Sequence, residues 1–223
     1  MRYSTRRSRP IPPALLTPGG TIAAWAWAAS RAADYLQTDP HIHLSQIALI
    51  GHSRAGKTAL WAGAPDERFA LVIANNSGST GAALARGKVD LPAETVQHIN
   101  TYFPHWFCAN YKAFNNHEQA LPLDQHMLLA LIAPRLLYVA SAADDAWACP
   151  PAEYASLLHA QSAWKLHQHE ILLNAEFPVV NSSFHHTRTG YHLRPGRHGL
   201  TLSDWNNFLA FADIHLRTQP AKL

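Results

Sequence analysis

The stretch that decides the fold is QIALIGHSRAGKTALWAGA, residues 46–64. A compact apolar run over 46–50 gives way at once to GHSRAGKT, and then to the helix-like Ala59 to Ala64. Strand, sharp turn, helix is the reading. Two further apolar runs match the first: FALVIA, Phe69 to Ala74, and LLYVASA, Leu136 to Ala142, the latter preceded by the helical MLLALIA and Pro134. None of the three alternates between apolar and polar residues, so each is a strand buried on both faces. Buried strands separated by helical stretches predict a parallel sheet in an α/β fold. Upstream, Ile22, Trp25, Ala26, Ala29, Ala32, Ala33 and Leu36 recur at helical spacing. Downstream, Leu200 to Leu216 reads as an amphipathic closing helix, and a last strand is expected around Tyr191 to Leu193. The segment between Gly78 and Asp124 is long, Asn- and His-rich and weakly periodic, as an excursion over the carboxyl edge of a sheet would be.

Composition bounds the function. The 223 residues are 48% hydrophobic, 10% aromatic and only 15% charged, against roughly 25% charged in ordinary soluble domains. Disorder and coiled coil are therefore excluded. Eighteen basic against 15 acidic residues give a net charge of +3 without a basic stripe, which argues against nucleic acid. The helix over 22–36 is interrupted by Arg31 and Asp34 and is too short to span a bilayer. Residues 1–20 are Arg- and Pro-rich without an acid and read as a disordered lead-in. A transit peptide could look similar, but Ile11 to Leu16 is too short and too interrupted by proline for a signal h-region. The final AKL approximates a peroxisomal SKL tail, a three-residue match that carries no weight. Cys108 and Cys149 cannot build a disulfide scaffold and leave the redox compartment open.

Two chemistries compete for the turn. Gly51 to Thr58 satisfies GxxxxGK[ST], the phosphate-binding loop. The same letters place Ser53 at a nucleophile elbow, with Ala55 where the strict GxSxG pattern has glycine. A nucleotide site needs a strand ending in a magnesium-directing Asp; a hydrolase needs an acid and then a His, in that chain order. Asp144 and Asp145, after the third strand, could serve either.

GHSRAGKTALWAGAPDERFALVIANNSG, INTYFPHWFCANY, LPLDQHMLLALIAPRLLYVASAADDAW and GYHLRPGRHGLTLSDW together resemble the glucuronoyl esterases, carbohydrate esterase family fifteen. The resemblance runs from about Gly19 to the C-terminal helix. It implies an α/β-hydrolase-like parallel sheet flanked by helices, and a serine esterase acting without cofactor or metal on glucuronate esters that join xylan to lignin alcohols. Its partner would be a small-molecule or polysaccharide uronate ester, with no nucleic acid and no membrane.

Ser53 would attack the ester carbonyl, provided a base reaches its proton; otherwise it is a helix-capping serine. Arg54 follows it, with a backbone N–H facing the developing oxyanion, and the resemblance adds its guanidinium to that task. The alternative is a surface arginine. Lys57, one helical turn on, is implied to contact uronate hydroxyls, against the plain reading of a helix-face lysine. His198, in PGRHGLT, matches the position of the family's catalytic histidine, and the resemblance implies that it acts as base and then acid; any other of the 15 His is read as solvent-facing or hydrogen-bonded. The pairs His167/His169 and His185/His186 are structural or surface residues, not a metal site. Some relatives have a glutamate where ANNSG places Asn75 and Asn76. The acid must then come from Asp145, two residues before Trp147 as in other bacterial members, with Asp144 in reserve. Trp147 would wall the sugar site unless it is a core Trp, and Glu94 would accept a sugar hydroxyl by similarity.

The family's catalytic domain has further strands before the helix that starts near Thr21, so residues 21–223 are expected to form a partial domain lacking the N-terminal strands, beginning after a lead-in at 1–20. Two readings of different class follow: a shortened but competent esterase, or a non-catalytic remnant of one. The phosphate-loop nucleotide binder is the third. Physiological ester, oligomeric state and localisation are not fixed by the sequence, although members of the family are usually secreted or periplasmic. The hydrolase reading requires the hydroxyl of Ser53 within proton-transfer reach of His198.

Overall fold

The computed structural model describes residues 19–88, 92–171 and 175–216. The lead-in expected at 1–20 therefore lies, apart from Gly19 and Gly20, outside the described residues, as does the AKL tail. Among the described residues, five strands form one sheet in the order β1-β2-β3-β5-β4. β1 is Ala48–His52, β2 Leu71–Asn75, β3 Leu136–Ala142, β4 Ser183–Phe184 and β5 Thr189–Arg194. The first three and β5 run parallel; only the short β4 is antiparallel to its neighbour.

Two strand boundaries move from their sequence-based positions. The ladder begins at Ala48 opposite Leu71 and continues through Gly51 and His52 opposite Ala74 and Asn75. β2 and β3 are buried throughout, as expected, but β1 is not a strand buried on both faces: it lies at the sheet edge, with Ala48 exposed and Leu49 and Ile50 only half-buried. The pairing of β1 with β2 extends into polar residues that carry the site. Phe69 and Ala70 lead into β2 outside the ladder, although Ala70 N–H already donates to Ile47 O at 2.8 Å.

Helices cover both faces, as a parallel sheet requires. α1 (Thr21–Leu36), α2 (Arg54–Gly63), α4 (Gln125–Ala130) and α5 (Pro150–Leu166) contribute to one layer, with α1 packed on α2 and α4 on α5. Beneath them Val72, Ala74, Leu137, Val139 and Tyr191 meet Leu60, Leu129, Leu157 and Trp164 in the main core cluster. The intervening residues Leu71, Ile73, Leu136, Tyr138 and Ala140 point the other way and bury against Phe208 and Phe211 of α6, Leu202–His215. Each fully buried large side chain contributes about 1.5–3 kcal/mol.

The excursion expected over 78–124 contains the short helix α3 (Val96–Tyr102) and 3₁₀ turns at Ala109–Phe114 and Glu118–Ala120. Helix α5 is the element the apolar pattern missed. Two prolines open it, and its buried side includes Glu153, Ser156 and Gln161 beside Leu157, Ala160 and Trp164, so no clean apolar stripe marks it. It follows β3 in the chain and precedes β4 and β5, and packs against both β3 and β5.

Candidate active site

The carboxyl ends of β1, β2, β3 and β5 converge on one cavity of about 280 Å³. Its lining brings together Ser53, Arg54, Lys57, Glu94, Asp145, Trp147 and His198, all seven residues singled out from the sequence. Sites at this edge are the rule for parallel sheets, because every strand delivers a loop there.

Ser53 sits on the bend between β1 and α2 with φ 58° and ψ −125°, a backbone conformation that non-glycine residues rarely adopt. Its N–H donates to Asn75 O at 2.9 Å, and its carbonyl accepts from Gly56 N at 2.9 Å. Its side chain makes no cap bond to α2, so the helix-capping reading fails. The bend needs a glycine two residues earlier: a Cβ on Gly51 would lie 1.9 Å from Ala55 O. Position 55 faces solvent and tolerates alanine, while a Cβ on Gly56 would come within 2.9 Å of Ser77 Cβ. The second close approach in this elbow thus falls one residue later than GxSxG requires.

His198 and Asp145 are joined by a 2.6 Å bond between Nδ1 and Oδ2. An ionised carboxylate only accepts, so Nδ1 carries the proton and Nε2 is left as the basic nitrogen. Asp145 is buried and also accepts from Ala148 N–H at 3.2 Å. The bond to Asp145 raises the pKa of His198 against the opposing effect of burial. Asp144 is exposed, and the histidine selects its neighbour.

Lys57 is no helix-face lysine. It is 3% exposed, and its Nζ donates to Ser77 O (2.8 Å), Ser79 O (2.5 Å) and Glu94 Oε2 (2.7 Å). All three donor directions are used within the protein. A lysine closed by a carboxylate and two carbonyls is a poor phosphate ligand, which removes the mechanical basis of the phosphate-loop reading. Arg54 is exposed, with its guanidinium carbon 5.6 Å from the Trp106 ring centroid, a cation–π geometry. Trp147 is 44% exposed and lies 4.9 Å, centroid to centroid, from the His98 ring. It is a wall of the cavity, not a core tryptophan. Its carbonyl accepts from Glu94 N–H at 2.9 Å, which links the acid-bearing loop to the excursion.

Sequence reasoning missed Phe103 and Trp106, which stack at 3.9 Å and line the cavity from the excursion. Their aromatic spacing was visible, but nothing in it pointed toward the sheet edge. It also left Asn75 and Asn76 without a task. Asn76 Nδ2 donates to Gly199 O at 3.1 Å, and Asn75 Oδ1 meets His52 Nδ1 at 2.6 Å. The His52 ring in turn lies 4.6 Å from that of His198. Burial, together with the nearby His198, holds the pKa of His52 below its ordinary value despite the bond to Asn75.

No cluster of three or more metal-ligating side chains exists among the described residues. His185 is engaged with Tyr138 OH at 2.8 Å, a structural role. Both cysteines are free thiols, Cys149 buried and Cys108 partly so. Among the described residues no helix is long and apolar enough to cross a membrane.

Comparison with known proteins gives this geometry its context. Residues 16–167 match the family model described as glucuronyl esterase, fungi. The chain is 48% identical over 197 residues to the carbohydrate esterase MZ0003 of an unknown prokaryotic organism, covering 88% of this chain and 45% of that protein. It is 40% identical over 136 residues to 4-O-methyl-glucuronoyl methylesterase 1 of Phanerochaete chrysosporium, covering 58% of this chain and 29% of that one. Among solved structures, a glucuronoyl esterase from Solibacter usitatus superposes with a TM-score of 0.82 at 40% identity, covering 95% of this chain and 52% of the other. The chain spans about half the length of such relatives, or less. Sequence and fold agree on the outcome: the chain belongs to the glucuronoyl esterases of carbohydrate esterase family 15, on an α/β-hydrolase sheet.

Proposed function

We propose that the chain hydrolyses esters of glucuronate, with residues 21–223 contributing to a single domain of α/β-hydrolase type and Ser53, His198 and Asp145 acting as nucleophile, base and orienting acid. The observation that carries this reading is the gathering of these three residues around one cavity, in hydrolase chain order, with His198 already bound to Asp145 at 2.6 Å.

His198 Nε2 takes the proton of Ser53 as Oγ bonds to the ester carbonyl carbon, and the carbonyl oxygen becomes an oxyanion. Arg54 N–H, the first of helix α2, has no acceptor within the helix and faces that charge, with the positive end of the helix behind it. The exposed guanidinium of Arg54 supplies a second positive group. Collapse of the intermediate breaks the bond to the alcohol, which leaves with the proton from His198. Water then repeats the sequence on the acyl-enzyme, releasing the uronate and restoring Ser53.

The floor of the cavity suits a sugar acid. Glu94 presents a carboxylate to accept a ring hydroxyl, held in place by Lys57 Nζ at 2.7 Å. Because Lys57 is fully bonded, a hydroxyl reaches it only by exchanging with one of its present acceptors. Trp147 offers an aromatic face to the C–H side of a pyranose. The name of one relative, 4-O-methyl-glucuronoyl methylesterase 1, supports trying methyl esters of 4-O-methyl-glucuronate early.

Release of benzyl alcohol from benzyl glucuronate by the purified chain tests the reading. Turnover is expected, with Ser53→Ala reducing it by at least about 1,000-fold. A folded chain inert toward every uronate and acetyl ester would favour the non-catalytic remnant, and a fully active Ser53→Ala variant would remove the nucleophile.

A further inference from the structure

Behind His198 lies a buried ion pair that the catalytic proposal does not use. Arg194, the last residue of β5, is 6% exposed and Asp204, in the first turn of α6, is 0% exposed. A buried pair of this kind adds little net stability over apolar residues of similar volume, because desolvating two charges costs several kcal/mol each. What the pair holds is therefore more informative than what it contributes to stability.

It holds the loop that carries His198. Arg194 Nη1 donates to Pro195 O at 2.9 Å, and Nη2 donates to Arg197 O at 3.1 Å and Gly199 O at 2.8 Å. Alternate carbonyls of the loop thus converge on one planar guanidinium, whose fixed donor directions a flexible ammonium cannot reproduce. Its Nε faces Asp204, 3.0 Å from Oδ1 and 2.9 Å from Oδ2. Asp204 Oδ2 also accepts from Thr201 N and Oγ1, both at 2.7 Å, and so fixes the far end of the same loop.

The other oxygen reaches toward the nucleophile. Asp204 Oδ1 accepts from His192 Nε2 at 3.0 Å and Asn75 Nδ2 at 3.1 Å. Asn75 in turn receives the Nδ1–H of His52, the residue before Ser53, whose ring rests against that of His198. Asn76 shares the Gly199 carbonyl with Arg194. Burial would raise the pKa of Asp204, but the bonds from His192 and Thr201 and the Arg194 charge hold it well below the usual carboxylate range.

The geometry points to Arg194 and Asp204 as positioning residues that set His198 against Ser53, by clamping both ends of the base loop and tying it through Asn75 and His52 to the nucleophile turn. The inference rests on the esterase reading for its catalytic consequence. The clamp itself can be measured without turnover.

Arg194→Lys is the informative variant, because it keeps the charge opposite Asp204 and loses the fork; Asp204→Asn, which strands a buried cation, is the harsher companion. In Arg194→Lys, kcat for benzyl glucuronate should fall at least about 10-fold with KM within about 2-fold, the pattern for a displaced base and an intact sugar site. Hydrogen exchange at the amides of residues 196–200 should accelerate about 10-fold while β3 and β5 keep their protection. Unchanged kcat with unchanged loop exchange overturns the clamp and leaves the esterase reading standing. A wild-type chain that turns over no uronate ester overturns that reading instead; loop exchange then decides the clamp, faster exchange confined to 196–200 supporting it and unchanged exchange refuting it. General loss of protection in Arg194→Lys, spread over β3 and β5, marks the pair as structural only and refutes the positioning role.

Discussion

Replacing Glu94 with glutamine probes how dry the floor of the cavity is. Lys57 and Glu94 are 4% and 6% exposed at their side chains, with Nζ and Oε2 2.7 Å apart. Removing one partner of such a pair strands the other charge, at a cost of about 3–5 kcal/mol. Glutamine keeps one oxygen as acceptor, and a hydrogen bond to a charged group is worth about 1.5–3 kcal/mol, so the expected net loss for Glu94→Gln is about 2–3 kcal/mol. Lys57→Met should lose about 4 kcal/mol, because the Ser77 and Ser79 carbonyls and the Glu94 carboxylate are then all left facing a thioether. In the double variant the stranded charges disappear together. Urea unfolding of all four proteins at pH 7 therefore predicts a coupling of about 2 kcal/mol or more. A solvated pair gives only about 0.2–1 kcal/mol. Coupling below about 1 kcal/mol would refute the picture of a desolvated floor and, with it, the argument that Lys57 holds Glu94 in place for a sugar hydroxyl.

Two pH-dependent outcomes follow from the groups around the site. His198 must be neutral to act as base, and its bond to Asp145 raises its pKa above the ordinary 6.5; the acid limb of kcat/KM should therefore lie above pH 6.5 and move to lower pH in Asp145→Asn, along with a fall in rate. An acid limb unmoved in that variant would separate Asp145 from the base. Glu153, fully buried, accepts from Ser77 Oγ, Gly78 N and Ser141 Oγ, yet burial outweighs those bonds and pushes its pKa from 4.5 up to about 7. The folded chain then holds this proton more tightly than the unfolded one, so stability from this group falls as pH rises from about 4.5 to 7, by about 3 kcal/mol. Glu153→Gln removes that dependence: unfolding free energies measured across the range should show the variant gaining on the wild type by about 3 kcal/mol toward alkaline pH, and a constant difference would contradict the assignment.

The sheet was legible because β2 and β3, buried on both faces, concentrate their apolar residues, although the equally apolar β1 lies half-exposed at the edge; the elbow was legible because a strand running straight into GHSRAGKT leaves little room for anything but a tight turn. Helix α5 was not, since Pro150 and Pro151 look like an interruption while in fact occupying the first turn of a helix, where their missing N–H groups cost nothing. The polar residues buried on that helix then blurred its period. In the site, chain order together with the resemblance pointed to Ser53, Asp145 and His198, which line one cavity in the structure. It could not reveal that Lys57 is bonded on every side, because its partners lie 20, 22 and 37 residues further along the chain. Asp204 was hidden for another reason: three residues after Thr201 it has the signature of a helix capping box, which it forms, and that local role masks its bonds to Arg194, His192 and Asn75.

The central claim is that Ser53 is a nucleophile activated by His198, and covalent labelling tests it most directly. The purified chain is exposed to a fluorophosphonate and the modified residue is located by peptide mass spectrometry, beside a His198→Ala variant under the same conditions. The account predicts one adduct, on Ser53, with labelling at least about 100-fold slower in the variant, as loss of a positioned general base implies. An adduct on another residue, or equal labelling of Ser53 with and without His198, would contradict it.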